Sequence, residues 1–151
     1  MTDTLKTDVL IIGAGAAGLT AALAAHDSGA KVTIIEKGAR LGRTASISGG
    51  VVWVPHNPQM NAKGIPDNRE DALSYFRSLD HGEMNSDTLE AFVDQGANAL
   101  QFLNSQGALE LHVLDGYPDY YLDHPGAKAD GGRALDNALF DFSTLGDWAD
   151  K

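Results

Sequence analysis

An apolar run that leads straight into three spaced glycines constrains this chain more than any other feature. Asp8-Val9-Leu10-Ile11-Ile12 is short and apolar, which suits a parallel strand buried on both faces. Gly13-Ala14-Gly15-Ala16-Ala17-Gly18 follows at once and fits the spacing G-x-G-x-x-G. With 17 Gly in 151 residues, chance alone would supply that spacing about 0.2 times, so its weight comes from context. Residues 15–28 are rich in Ala and Leu and predict a helix, with Gly29 as its C-cap. Val32, Ile34 and Ile35 mark a second strand that ends at Glu36. Strand, tight turn, helix and strand in this order make a right-handed βαβ unit.

Each residue type in the turn has a physical task. Gly13 permits the sharp bend, Gly15 lets the backbone approach a pyrophosphate, and Gly18 lets helix and strand pack closely. Together with Ala16 and Ala17 they open a helix whose free N–H groups and dipole favour phosphate. Glu36, followed by Lys37, stands where a carboxylate accepts hydrogen bonds from ribose hydroxyls and repels a 2′-phosphate. This pattern predicts a dinucleotide site and disfavours NADP. It does not choose between FAD and NAD. The next stretch, Arg40-Leu41-Gly42-Arg43-Thr44-Ala45-Ser46-Ile47-Ser48-Gly49-Gly50, is small and hydroxylated. It can lie against a flat, extended cofactor, with Thr44 and Ser48 as donors, or it can be a surface loop.

The rest of the chain is sparser in signal. Residues 38–68 read as irregular, with a short strand at 51–54. Asp67 and Glu70 look like a capping box before Ala72, Leu73, Phe76 and Leu79. Asn85 or Ser86 caps a longer helix with Leu89, Phe92, Val93, Leu100 and Leu103 on one stripe, ended by Gly107. Leu109, Leu111 and Val113 alternate as a half-buried strand, residues 115–132 form a loop, and the remainder is weakly helical around Leu135 and Leu139. The expected fold is therefore α/β: a Rossmann-like βαβ unit with appended helices. A doubly wound sheet needs about five strands, so the chain reads as an incomplete doubly wound domain, residues 1–151 being the N-terminal portion of a longer protein.

Composition narrows the function classes. A net charge of −10 opposes binding to nucleic acid and to anionic lipid surfaces. The acidic residues between Asp67 and Glu90 read as solvated helix faces. There is no Cys, and no apolar run reaches the ~18 residues of a membrane span. The opening residues lack a secretory pattern, and a cytoplasmic location is expected. His26, His56, His81, His112 and His124 have no metal-ligand spacing, so no metal is expected. Trp53 and Trp148 read as packing residues, and Arg133 is a minor candidate for anion binding.

The run from Asp8 to Glu36, then Gly42-x-Thr44-Ala45-x-x-Ser48-Gly49-Gly50, resembles the succinate dehydrogenase and fumarate reductase flavoproteins. Ser48-Gly49-Gly50-Val51-Val52-Trp53-Val54-Pro55-His56-Asn57, Asp71-Ala72-Leu73-Ser74-Tyr75 and Tyr117-Pro118-Asp119-Tyr120 are similar to the 3-ketosteroid dehydrogenase branch. The resemblance implies FAD, with Gly13, Gly15 and Gly18 at the pyrophosphate and Glu36 on the adenosine ribose. Thr44, Ala45, Ser48, Gly49 and Gly50 would lie along the pyrophosphate and flavin. Arg43 departs from the branch, which usually has Gly there. In succinate dehydrogenases that position is a His carrying the flavin, so Arg43 implies non-covalent FAD. Tyr120 matches the tyrosine that supports a catalytic tyrosine base in the branch. The expected activity of the intact protein is FAD-dependent dehydrogenation of a CH–CH bond beside a ketone, on a steroid, with an unspecified electron acceptor. The alternatives are enoate reduction, as in fumarate reductase, and an inactive FAD-binding fragment.

Overall fold

Val9–Ile12 forms β1 and Val32–Ile35 forms β2, paired in parallel with Val9 opposite Val32 and Ile12 opposite Ile35. Between them runs α1, Ala16–Asp27, which ends where Gly29 takes a φ of +85° that favours glycine. The structure, a computed structural model, describes residues 4–42 and 44–148. It divides into two units, Met1–Gly49 with Phe140–Lys151, and Gly50–Leu139.

In the first unit the βαβ order is as the glycine pattern predicts. The expectation of a fully buried β1 is not met: Leu10 is 54% exposed and Ile12 82%. The reason is strand number. Among the described residues this sheet has two strands, packed against α1, so alternate side chains lack a cover. One turn of helix, α2 (Thr44–Ile47), follows the βαβ unit, and 3₁₀ turns on either side of a kink at Gly146 (φ +51°) lie within Phe142–Trp148.

The second unit holds an antiparallel sheet; two of its strands match the expected ones at 51–54 and through Leu111 and Val113, and the third was not expected. Its order is β3-β5-β4, from Val52–Trp53, Gly131–Asn137 and Leu111–Asp115. The segment around Leu135, expected to be weakly helical, is β5, the central strand. Val52 and Val113 both register with Leu135, which is fully buried. Pairing on both sides outweighs the helical preference of Ala and Leu. Residues 58–63 were read as irregular but form α3 (Pro58–Lys63). Its signals were present: Asn57 as N-cap, Pro58 at the first position and Gly64 with φ +70°.

α4 spans Arg69–Leu79 and α5 Ser86–Ser105. Asn68, not Asp67, caps α4, accepting from Asp71 N; Asn85 caps α5, accepting from Thr88 N. The stripe on α5 serves two cores. Leu89 and Val93 pack with Ala72 and Leu73 of α4, whereas Leu100 packs with Val54, Val113 and Leu135 of the sheet. Gly96 lies where α5 meets the segment after β3; a Cβ there would come within 2.9 Å of Val54 Cγ1.

Candidate functional site: a glycine cradle and an aromatic pocket

In the first unit, Gly13 turns the chain at φ +99° and donates its N–H to Ile35 O at 2.7 Å, which ties the turn to the end of β2. A Cβ on Gly18 would collide with the carbonyl of Gly13, so the close crossing of helix and turn demands glycine there. Gly15 is the N-cap of α1 and has no side chain with which to cap it. The first helical bond runs from Leu19 N to Gly15 O, so the preceding N–H groups have no acceptor within the helix. A Cβ on Gly15 would meet no other atom within 4 Å. Gly15 also lines a cleft of about 590 Å³, together with Ile12, Gly13, Ile35, Glu36 and Lys37.

Glu36 locks this cradle. Its Oε2 accepts from Ala14 N at 2.9 Å and its Oε1 from Gly38 N at 2.7 Å. Ala14 is fully buried, and its carbonyl accepts from Gly42 N at 3.0 Å. Gly42 has φ +85°, and a Cβ there would lie 2.7 Å from Ser46 Cβ. Ala16, Ala17 and Lys37 are exposed, as are Thr44, Ala45, Ser48 and Gly49. Arg43 lies outside the described residues. Gly50, with φ +82°, opens the second unit. A cleft bordered by glycine, a helix N-terminus and a carboxylate fits a dinucleotide: the residues present suit pyrophosphate on α1 and ribose on Glu36.

The second unit contains a separate pocket of about 480 Å³. Trp53, Tyr75, Phe76, Phe92, Tyr117 and Tyr120 are among its lining residues. Trp53 lies nearly parallel to Tyr75 at 6.0 Å, and Phe76 meets Trp53 edge-on at 5.1 Å. Tyr120 is 81% exposed, and its hydroxyl lies 3.3 Å from that of Tyr117. The hydrogen bond to Tyr120 pushes the Tyr117 phenol above its ordinary range, so Tyr117 keeps its proton. Tyr121 N donates to Tyr75 Oη at 3.3 Å.

Behind this pocket is an ionic cluster that sequence reading did not find. Arg133 of β5 is fully buried. Its Nε and one terminal nitrogen donate to the two oxygens of Asp67, each at 2.8 Å, and the other donates to Asp119 Oδ2 at 2.8 Å. Arg133 therefore serves carboxylates of its own unit, which argues against an external anion. Burial opposes its charge, but the two aspartates outweigh that and hold it above the usual guanidinium range. Burial likewise opposes ionisation of Asp67. Bonds from Arg133, His56 N and Asn68 N outweigh it and lower the carboxyl below the usual range. Asp67 is thus neither a helix cap nor part of a solvated face. His56, with φ +50°, is held by its N–H to Asp67 at 3.0 Å. Trp53 packs as expected and also donates its indole N–H to Asp119 Oδ1 at 2.7 Å. The only sequence hint was Gly131-Gly132 before a lone Arg. The partners lie 14 and 66 residues away in the chain.

Comparison with known proteins gives the family and the fold. A model of the FAD binding domain matches residues 8–151. The 4-oxocyclohexanecarboxylate 2-dehydrogenase of Sinomonas cyclohexanicum is 39% identical over 95% of this chain and 25% of its own length. The crystal structure of 3-ketosteroid Δ1-dehydrogenase from Sterolibacterium denitrificans in complex with 1,4-androstadiene-3,17-dione superposes with a TM-score of 0.84. It is 37% identical and matched over 95% of this chain and 25% of that one. The open conformation of a flavocytochrome c3 fumarate reductase matches with a TM-score of 0.63 at 28% identity, over 87% of this chain and 21% of that one. The chain spans about a quarter of the length of the curated relatives it matches. No helix among the described residues is long and apolar enough to cross a membrane.

Proposed function

We propose a function from one established fact: this chain belongs to the FAD binding domain family. It is the N-terminal portion of an FAD-dependent oxidoreductase that removes hydrogen from a CH–CH bond beside a ketone. The substrate is a flat, uncharged alicyclic ketone of the 3-ketosteroid class. Gly13, Gly15, Ala16, Ala17 and Gly18 hold the pyrophosphate of FAD, Glu36 and Lys37 the ribose side, and the stretch from Gly42 through Arg43, Thr44, Ala45, Ser48 and Gly49 continues along the cofactor. The FAD is held non-covalently. The protein works in the cytoplasm and passes its electrons to a separate acceptor.

The observation that carries this reading is the aromatic pocket with a hydroxyl pair. Aromatic rings make up most of its walls, and Asp119 is the one charged residue among the described lining residues. A carboxylate substrate needs a cationic clamp, and the buried Arg133 is already held by Asp67 and Asp119. This favours an uncharged ketone over the enoate acid of the fumarate reductase reading. The ketone acidifies the neighbouring C–H, so that a base removes the proton while hydride leaves the adjacent carbon. Bound FAD supplies the hydride acceptor. Tyr120 supplies a hydroxyl that hydrogen-bonds to a tyrosine base, and Tyr117 supports Tyr120 in turn. A phenol has an ordinary pKa of about 10 and needs such a donor to act as a base near neutrality.

The test is Tyr120→Phe in the whole protein, assayed anaerobically with a 3-ketosteroid by bleaching of the flavin absorbance. We expect kcat to fall roughly 10- to 1000-fold with normal FAD content, and Tyr117→Phe and Tyr121→Phe to cost much less. Full kcat in Tyr120→Phe, or loss of flavin as its main effect, would sink the assignment.

A further inference from the structure

We propose that Arg133 is a positioning residue that aims Tyr120 by clamping the neighbouring Asp119, an inference that rests on the role given to Tyr120 above. Tyr120 is 81% exposed, so its own ring has little packing to hold it. Besides the Tyr117 hydroxyl at 3.3 Å, what restrains it is the backbone on either side. Asp119 accepts from Trp53 Nε1 at 2.7 Å on Oδ1, and from Arg133 at 2.8 Å and Lys128 N at 2.9 Å on Oδ2. Its own N–H donates to Lys128 O at 3.1 Å. On the other side, Tyr121 N donates to Tyr75 Oη. The residue between two pinned neighbours keeps little freedom beyond its side-chain torsions.

Arg133 is suited to hold this arrangement in one orientation. Asp67 grips its fork through two parallel bonds of 2.8 Å, a geometry that fixes the guanidinium plane. The Trp53 and Tyr75 rings lie 5.3 and 5.8 Å from its central carbon. The third bond, to Asp119, is then delivered from a rigid base on the central strand. A buried ion pair is often replaceable by apolar residues without loss of stability. What an apolar substitute lacks is direction, and direction is what an exposed tyrosine needs. Misplacement of a reacting group by about 1 Å can cost on the order of 100-fold in rate.

The experiment is a double-mutant cycle in the whole protein: wild type, R133K, Y120F and R133K/Y120F, with kcat, KM and FAD content measured for each. Lys keeps the charge and loses the fork. R133K is expected to lower kcat about 10- to 100-fold with KM and FAD content held within about twofold. In the Y120F background the same change should cost less than about twofold, because the residue it aims is gone. D119N, which keeps an oxygen for Trp53 but loses the charge Arg133 grips, should repeat the pattern if R133K folds poorly. Equal losses in both backgrounds, no loss in either, or a loss that tracks FAD content would overturn the proposal. If Y120F alone keeps full kcat, the catalytic reading of Tyr120 fails and positioning is judged from the ring itself. With 3-fluorotyrosine incorporated, the ¹⁹F resonance that Y120F removes should shift or broaden in R133K. An unchanged resonance would overturn the positioning role.

Discussion

The two units of this chain differ in how their order is built. In the first, what matters lies within a few tens of residues. Gly13 bonds to Ile35, Ala14 to Glu36, and Gly18 is forced by Gly13. Much of its apolar surface is left exposed, including Ile12 and Ile35. In the second, the central strand pairs with residues some 80 positions earlier, Val52 with Leu135, and a buried arginine is held from opposite ends of the segment. Local turn chemistry defines the first unit, whereas long-range pairing and a buried charge define the second.

The comparison breaks most severely at Arg133. Arg133→Met leaves Asp119 buried without its cation and Asp67 with the Lys128 ammonium at 3.5 Å in place of the guanidinium fork, a loss of about 3–5 kcal/mol. Trp53 fluorescence should report early unfolding of the second unit, while Trp148, isolated by Trp53→Phe, reports an unaltered first unit. Simultaneous unfolding at both tryptophans would mean the units do not differ as described.

A matched pair of glycines sharpens the contrast at smaller cost. Gly18→Ala drives a methyl into the Gly13 carbonyl, and Gly126→Ala, at φ +77°, drives one into the Asp71 carbonyl. Each should cost about 1–3 kcal/mol. Denaturant curves should place the first loss in the first unit alone and the second in the second alone.

Glu36→Ala in the whole protein should weaken FAD binding by about 1–3 kcal/mol and leave the stability of the second unit untouched. An unchanged dissociation constant would make Glu36 a lock for the turn and nothing more.

The smallest effect is the acid limb. Asp67 is lowered in the folded state from an ordinary value of 3.8. Its contribution is therefore complete above that value and is lost as pH falls through the lower, folded one. Asp67→Asn should flatten this part of the acid titration followed by Trp53. An identical acid limb in the variant would show that Asp67 contributes none of it.

The sequence by itself determined the features whose causes lie close together in the chain. The βαβ order, the need for glycine at positions 13 and 18, the acid at 36, and a cap at Asn85 or Ser86 with its stripe on α5 all follow from neighbours within a few turns. The α3 helix was equally legible, from Asn57, Pro58 and Gly64, and was missed. Only the tertiary structure decided that Leu135 lies in a strand, because that depends on Val52 and Val113 arriving at both its sides. It alone decided that Asp67 leaves the α4 cap for Arg133, and that Tyr117 meets Tyr120 on the loop Asp119 anchors. Propensity and spacing record what a residue does with its neighbours in sequence. A buried charge or a central strand is decided by which distant partner satisfies it, and that information exists only once the chain has folded.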